Sequence, residues 1–306
     1  MNWQDTKAFL APCFPEEVRA ELELLLPGEL REIRVRADRP TVLVAADRVV
    51  SLEWSPGQHQ VEALAEALAE HGLCARTEET RQGYVTLRGG HRMGLCGRVH
   101  GRNGVRQLAA VGSLCVRIAG EWPGSADMLI PYLRQGQRPQ SALVIGPPGS
   151  GKTTLLRDAA RQLASGRGAC QVSVIDERGE LAACVDGVPQ LDVGQSADVL
   201  DGCPKAQAVP WLIRSMAPQV IVTDELADDG DAACVLDAIA CGAAVLASAH
   251  GVSMQEVASR PAMAALMARR ALGVYAVLAP EGGGQLPCLP RLPGCTAGRR
   301  CWSTWR

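Results

Sequence analysis

Residues 146–154 read GPPGSGKTT, glycines closing on a lysine and two threonines. The pattern G-x-x-x-x-G-K-[ST] is chemistry for phosphate. Glycine lets the backbone turn so that successive N–H groups point inward at phosphate oxygens. Gly146, Pro147, Pro148, Gly149, Ser150, Gly151, Lys152, Thr153 and Thr154 are accordingly the candidate contacts of a nucleoside triphosphate. Lys152 should reach the β- and γ-phosphates, and the Thr153 hydroxyl should meet Mg²⁺. The pattern leaves the acceptor of the phosphoryl group open, water or a substrate.

A site of this kind needs carboxylates for the metal's water shell and for the attacking water. Two strand-like runs end in acid: VSVIDERGE at 172–180 and VIVTDELADD at 220–229. In the second, Asp224 would support Mg²⁺ through a water, and Glu225 is one candidate base. The first offers Asp176, Glu177 and Glu180, so the base stays open between the two runs. A third run, VLASAHG at 245–251, supplies Ser248 and His250 as candidates to sense the γ-phosphate.

Such residues have to be held at strand ends. From 141 onward SALVIG, CQVSVID, QVIVTDE, AAVLASAH and LGVYAVLA read as strands. Between them GKTTLLRDAARQLASG, KAQAVPWLIRSMA, DAACVLDAIACG and VSMQEVASRPAMAALMARRA read as helical. Strands separated by helices predict a mostly parallel sheet covered on both faces. The fold class is α/β: a RecA-like P-loop domain over 141–282, preceded by a smaller α+β domain over 1–120 and a linker over 121–140. In the first domain PEEVRAELELLLP and VEALAEALAEHG have helical spacing, and ELREIRVRADRPTVLVAADRVVSL alternates as strands about ADRP. GYVTLRGGHRMGLCGRVHGRNGVRQL reads as short β pieces broken by glycine turns. Residues 283–306, bearing Pro, Gly and Cys, are expected to form a loosely ordered tail.

Composition narrows the function classes. A formal net charge of −2 argues against a strongly basic nucleic-acid binder. No apolar run is long enough for a transmembrane helix, and the N-terminus lacks the basic-then-apolar form of a secretory signal, so a cytoplasmic location is expected. The 12 cysteines are scattered singly and read as small buried hydrophobes in a reducing compartment. Of 31 basic residues only Lys7, Lys152 and Lys205 are lysine, which marks them as places that need a compact ammonium instead of a planar fork.

Taken together, LVIGPPGSGKTTLLRDAARQL, VIDERGEL, DVGQSADVLDGCPKAQAVPWLIRSMAPQVIVTDE and VLASAHG resemble the bacterial stage III sporulation protein AA family, of the secretion-type (type II/IV) ATPases. EIRVRADRP and GYVTLRGGHRMGLCGRV are similar to N-terminal motifs of the same family. The resemblance implies a Mg²⁺-dependent ATPase, working as a homo-hexamer and as the motor of a secretion-like apparatus between mother cell and forespore. It implies other stage III sporulation membrane proteins as partners and membrane association through them alone. It also implies that Glu180 activates water and that His250 belongs to a histidine box. Arginines of the N-terminal domain would reach the nucleotide, and Arg92, Arg98, Arg102 and Arg117 are the candidates, with Arg178 and Arg214 as substitutes.

Three rival readings share the P-loop. One is a RecA-like ATPase remodelling nucleic acid, favoured by the arginine-rich 81–117 stretch and disfavoured by the near-neutral chain. Another is a small-molecule kinase, for which no arginine-rich lid follows the P-loop domain. The third is a regulator that binds ATP without hydrolysing it.

Overall fold

A computed structural model of the chain describes residues 3–102, 105–134 and 138–278; the tail at 283–306 lies outside the described residues. The described chain falls into two compact units. One runs up to Gly120 and includes Ala183–Leu191; the other comprises Glu121–Ala182 and the chain from Asp192.

The first unit begins with helices α1 (Trp3–Leu10) and α2 (Glu16–Leu24), then strands β1 (Leu30–Arg36), β2 (Arg39–Ala45) and β3 (Val49–Ser51). Helices α3 (Gln58–Leu68) and α4 (Thr77–Arg81) lead to β4 (Tyr84–Thr86), β5 (Arg92–Arg102) and β6 (Val105–Arg117). The strands form one antiparallel sheet in the order β3-β2-β1-β6-β5-β4. Alternation in β1 sends Ile33 and Val35 inward, where they meet Val61, Leu64, Ala65 and Leu68 from one stripe of α3. Burying each of these valine, leucine and isoleucine side chains contributes about 1.5–3 kcal/mol before conformational entropy is set against it.

Of the short β pieces expected after residue 83, β4 is one, at 3 residues, while β5 and β6 are long antiparallel strands of 11 and 13 residues. The glycines there do not all mark turns. The register shifts between Cys96 and Gly97, and a Cβ on Gly97 would lie 1.9 Å from the Ala110 carbonyl oxygen. That glycine serves a bulge with close backbone approach, which in sequence looks like punctuation.

The second unit holds α5 (Ile130–Leu133), β7 (Ala142–Gly146), α6 (Lys152–Leu163), β8 (Val172–Asp176), β9 (Ala197–Asp201) and α7 (Lys205–Ser215). It continues with β10 (Val220–Glu225), α8 (Asp229–Ala240), β11 (Ala244–His250), α9 (Met254–Ala258), α10 (Pro261–Ala268) and β12 (Val274–Val277). All its strands are parallel, in the order β12-β7-β11-β10-β8-β9. Every residue of β7 and β8 is buried, as expected of strands covered on both faces. The topology sets the carboxyl ends of β7, β11, β10 and β8 side by side. Strand β9 was not anticipated: it is a half-buried edge strand, ADVLD, without a continuous apolar run.

The cysteine expectation needs correction. Among the described residues Cys184 is buried, while Cys74, Cys96 and Cys241 are exposed; all nine described cysteines are free thiols. An apolar sequence neighbourhood did not bury Cys241 because it caps the end of α8, where the chain turns at the surface. Among the described residues no helix is long and apolar enough to cross a membrane.

Candidate active site

Strand β7 ends at Gly146 and α6 starts at Lys152, so residues 147–151 form the loop between them. Gly149 (φ 76°) and Gly151 (φ 87°) take left-handed conformations that only glycine adopts at little cost, and the space beside each is open. Gly146 is required for another reason: a Cβ there would sit 2.3 Å from Ser150 Oγ. That hydroxyl donates to the Pro147 carbonyl at 2.8 Å and closes the loop on itself. No side chain caps the start of α6, so the first N–H groups of its Lys152–Thr154 turn are left for an anion.

Lys152 is only 7% exposed. Its ammonium donates to the carbonyls of Gly146 and Pro147, each at 2.9 Å, and lies 3.1 Å from His250 Nδ1. Burial lowers the lysine pKa, and the fields of Asp224, Glu225 and Glu180 oppose that shift. An ammonium can only donate, so His250 Nδ1 accepts and its proton resides on Nε2. Nε2 in turn faces Glu225 Oε2 at 3.2 Å, and the same oxygen is 3.5 Å from Arg178 Nη1. Beside this chain Ser248, fully buried, donates to Asp224 Oδ1 at 3.0 Å. Burial, then Glu180, Asp176 and Glu225, raise the Asp224 pKa, with the Ser248 bond acting against them.

A carboxylate held above its ordinary pKa by burial and like charge is a place where a divalent cation relieves the field. Among the described residues no three His, Cys, Asp or Glu side chains form a group that could hold a metal ion. The candidate donors, the Thr153 hydroxyl and Asp224, fit Mg²⁺, which keeps waters and takes phosphate oxygens in preference to an all-protein cage.

The DERGE acids separate into distinct tasks. Asp176 is 1% exposed and accepts three backbone N–H groups: Glu180 (2.8 Å) and Leu181 (3.1 Å) on Oδ1, Ala182 (2.8 Å) on Oδ2. Glu177 accepts from the Lys205 amide at 2.6 Å and pairs with the Lys205 ammonium, which also lies 3.5 Å from Asp231. Glu180 is exposed, and its charge acts on both Lys152 and Asp224. The acids after TDE also have local work. Asp228 caps α8 by accepting from the Asp231 amide at 3.0 Å, and Asp231 accepts from the Ala227 amide at 2.7 Å.

Sequence reasoning missed Arg157, which donates from Nε to the Leu181 carbonyl and from Nη2 to the Glu180 carbonyl, each at 2.6 Å. It flagged Lys205 only through the scarcity of lysine. All three lysines prove to be buried. The arginine candidates Arg92, Arg98, Arg102 and Arg117 belong to the first unit, on β5 and β6. Arg92 stacks on the Tyr84 ring at 3.5 Å, and Arg117 lies 3.5 Å from Glu32. Arg214 bonds the Pro210 carbonyl of its own helix at 2.9 Å.

The family model "Sporulation stage III, protein AA" matches residues 17–287. Stage III sporulation protein AA of Bacillus subtilis (strain 168) is 39% identical over 259 residues, 83% of this chain and 84% of that protein. Among solved structures, the ATPase DotB of Legionella pneumophila is similar in fold with a TM-score of 0.58 at 15% identity, covering 92% of this chain and 77% of that one. The pilus retraction motor PilT, solved with ADP bound, also gives 0.58 at 15% identity, over 85% of this chain and 76% of that one. The α/β architecture expected of a secretion-type ATPase is therefore present.

Proposed function

The chain belongs to the sporulation stage III protein AA family, and from that premise we propose that it is a Mg²⁺-dependent ATPase, the motor of a sporulation-specific secretion-like apparatus. The observation that carries the reading is the convergence on one loop of a buried lysine, its histidine and a row of carboxylates at adjoining strand ends. The Gly146–Thr154 backbone would hold the phosphates of ATP, with Lys152 turning its ammonium from the loop carbonyls to phosphate oxygen. Thr153 and, through water, Asp224 would hold Mg²⁺. When bound, the ion supplies charge neutralisation to the phosphate oxygens.

Glu180 is the proposed base that takes the proton of the attacking water. Its backbone, fixed on both edges, favours it over Glu225. Glu225 would then orient His250, which reports the state of Lys152. The working assembly we propose is a homo-hexamer in which arginines such as Arg92, Arg98, Arg102 or Arg117 complete the site. Other stage III sporulation proteins would bring it to the membrane.

The test is Mg²⁺-dependent phosphate release by the full chain, beside Lys152→Ala. Turnover by the wild type, with a loss of at least about 10²-fold in the variant, is expected. ATP binding without phosphate release would favour the non-hydrolysing regulator, and unchanged ATP affinity in Lys152→Ala would refute the phosphate cradle.

A further inference from the structure

We propose that Arg157 is the positioning residue for the water-activating acid: from the P-loop helix its guanidinium clamps the peptide that carries Glu180. This rests on the ATPase reading and on Glu180 as its base. The peptide over 180–182 is gripped along both edges. Asp176 takes the N–H groups of Glu180, Leu181 and Ala182, and Arg157 takes the carbonyls of Glu180 and Leu181. Once these bonds are made, the backbone of Glu180 has no polar group left to re-pair, and the motion left to the residue is in its side chain.

The location of the clamp matters as much as its strength. Arg157 lies four residues after Thr153, one turn along α6, and so shares a helix face with the candidate Mg²⁺ contact. Any shift of the first turn of α6 on binding phosphate is therefore passed to the loop holding Glu180 through the Arg157 fork. A lysine could not substitute, because the two bonds leave from Nε and Nη2 of one planar group towards two successive carbonyls. Arg157 is half-buried; burial lowers its pKa, and the carboxylates Glu121, Asp176, Asp224 and Glu180 oppose that shift.

Arg157→Lys and Arg157→Gln in the full chain test the assignment, with nucleotide affinity and kcat measured separately. Displacing a base by about 1 Å costs on the order of 10²-fold in rate. Both variants should therefore lose about that much in kcat while nucleotide affinity stays within about twofold of wild type. Should Arg157→Gln fail to fold, Arg157→Lys keeps the charge and still removes the fork. Affinity and kcat falling together would make the residue a general support of α6 and overturn the proposal. Unchanged kcat in a wild-type-like background would also overturn it. A wild type that binds ATP and releases no phosphate would instead sink the ATPase reading itself, and this inference with it.

Discussion

Strands β8 and β10 both end in an aspartate followed by a glutamate, yet the two ends do opposite work. At the end of β8, Asp176 and Glu177 turn inward on the protein, one to three backbone amides and the other to Lys205. They build a rigid loop that presents a later acid, Glu180. At the end of β10, the charges of Asp224 and Glu225 act on Lys152 of the phosphate loop, Asp224 accepting from Ser248 and Glu225 lying beside His250. Identical dipeptides thus become scaffold in one place and candidate chemistry in the other. What decides is the neighbour supplied by the fold: backbone donors for β8, polar side chains of β11 for β10.

Asp176→Asn should break the scaffold half most severely. An amide has one acceptor oxygen where the carboxylate uses two, so at least one buried N–H loses its partner, at about 1–3 kcal/mol. A lowered thermal midpoint together with reduced turnover is expected; a variant with wild-type stability and rate would mean the staple is idle.

Asp224→Asn should sharpen the comparison from the other side. Burial and neighbouring carboxylates raise the Asp224 pKa above its ordinary 3.8. A raised carboxyl pKa contributes stability below the unfolded value, and that contribution is lost as pH rises through the folded value. Near neutral pH the ionised aspartate is a burden that asparagine lacks. The nucleotide-free variant should therefore melt higher than wild type near neutral pH, with the gap closing as pH falls towards 3.8, while Mg²⁺-dependent turnover drops. Lower stability at neutral pH would show that the Ser248 bond outweighs the repulsion.

The smallest effects should come from Ser173 on β8 and Thr223 on β10. Each buries a hydroxyl for which no hydrogen-bond partner is found. Ser173→Ala and Thr223→Val should each be neutral or stabilising by up to about 1 kcal/mol, because an orphaned polar group is removed. A clear loss of stability in either, measured by denaturant unfolding, would reveal a partner for that hydroxyl.

The parts of the site legible in the sequence are those whose chemistry is local. GPPGSGKTT, TDE and SAH carry strand, turn and functional residue within a few positions, and each lies where its run placed it. The division of labour in DERGE was not legible, because Asp176 finds its partners through a loop that curls back on it, and Glu177 through a lysine 28 positions away. The role of Arg157 was not legible for the same reason: its carbonyl acceptors are more than twenty positions downstream. Lysine scarcity did carry a signal, since Lys7 reaches Glu23 and Lys205 reaches Glu177 and Asp231 from buried positions. The acidic run LADDGD forms a capped helix start, Asp228 accepting from the Asp231 amide.

The most direct measurement is phosphate release under saturating ATP and Mg²⁺ by wild type, Glu180→Gln and Glu225→Gln, with ATP binding measured on the same samples. The account expects all three to bind ATP. Glu180→Gln should lose about 10²–10⁴-fold in turnover, the range for removing a positioned base, and Glu225→Gln should lose much less. Normal turnover by Glu180→Gln with collapse in Glu225→Gln would contradict the account and make the end of β10 the seat of both metal support and proton transfer.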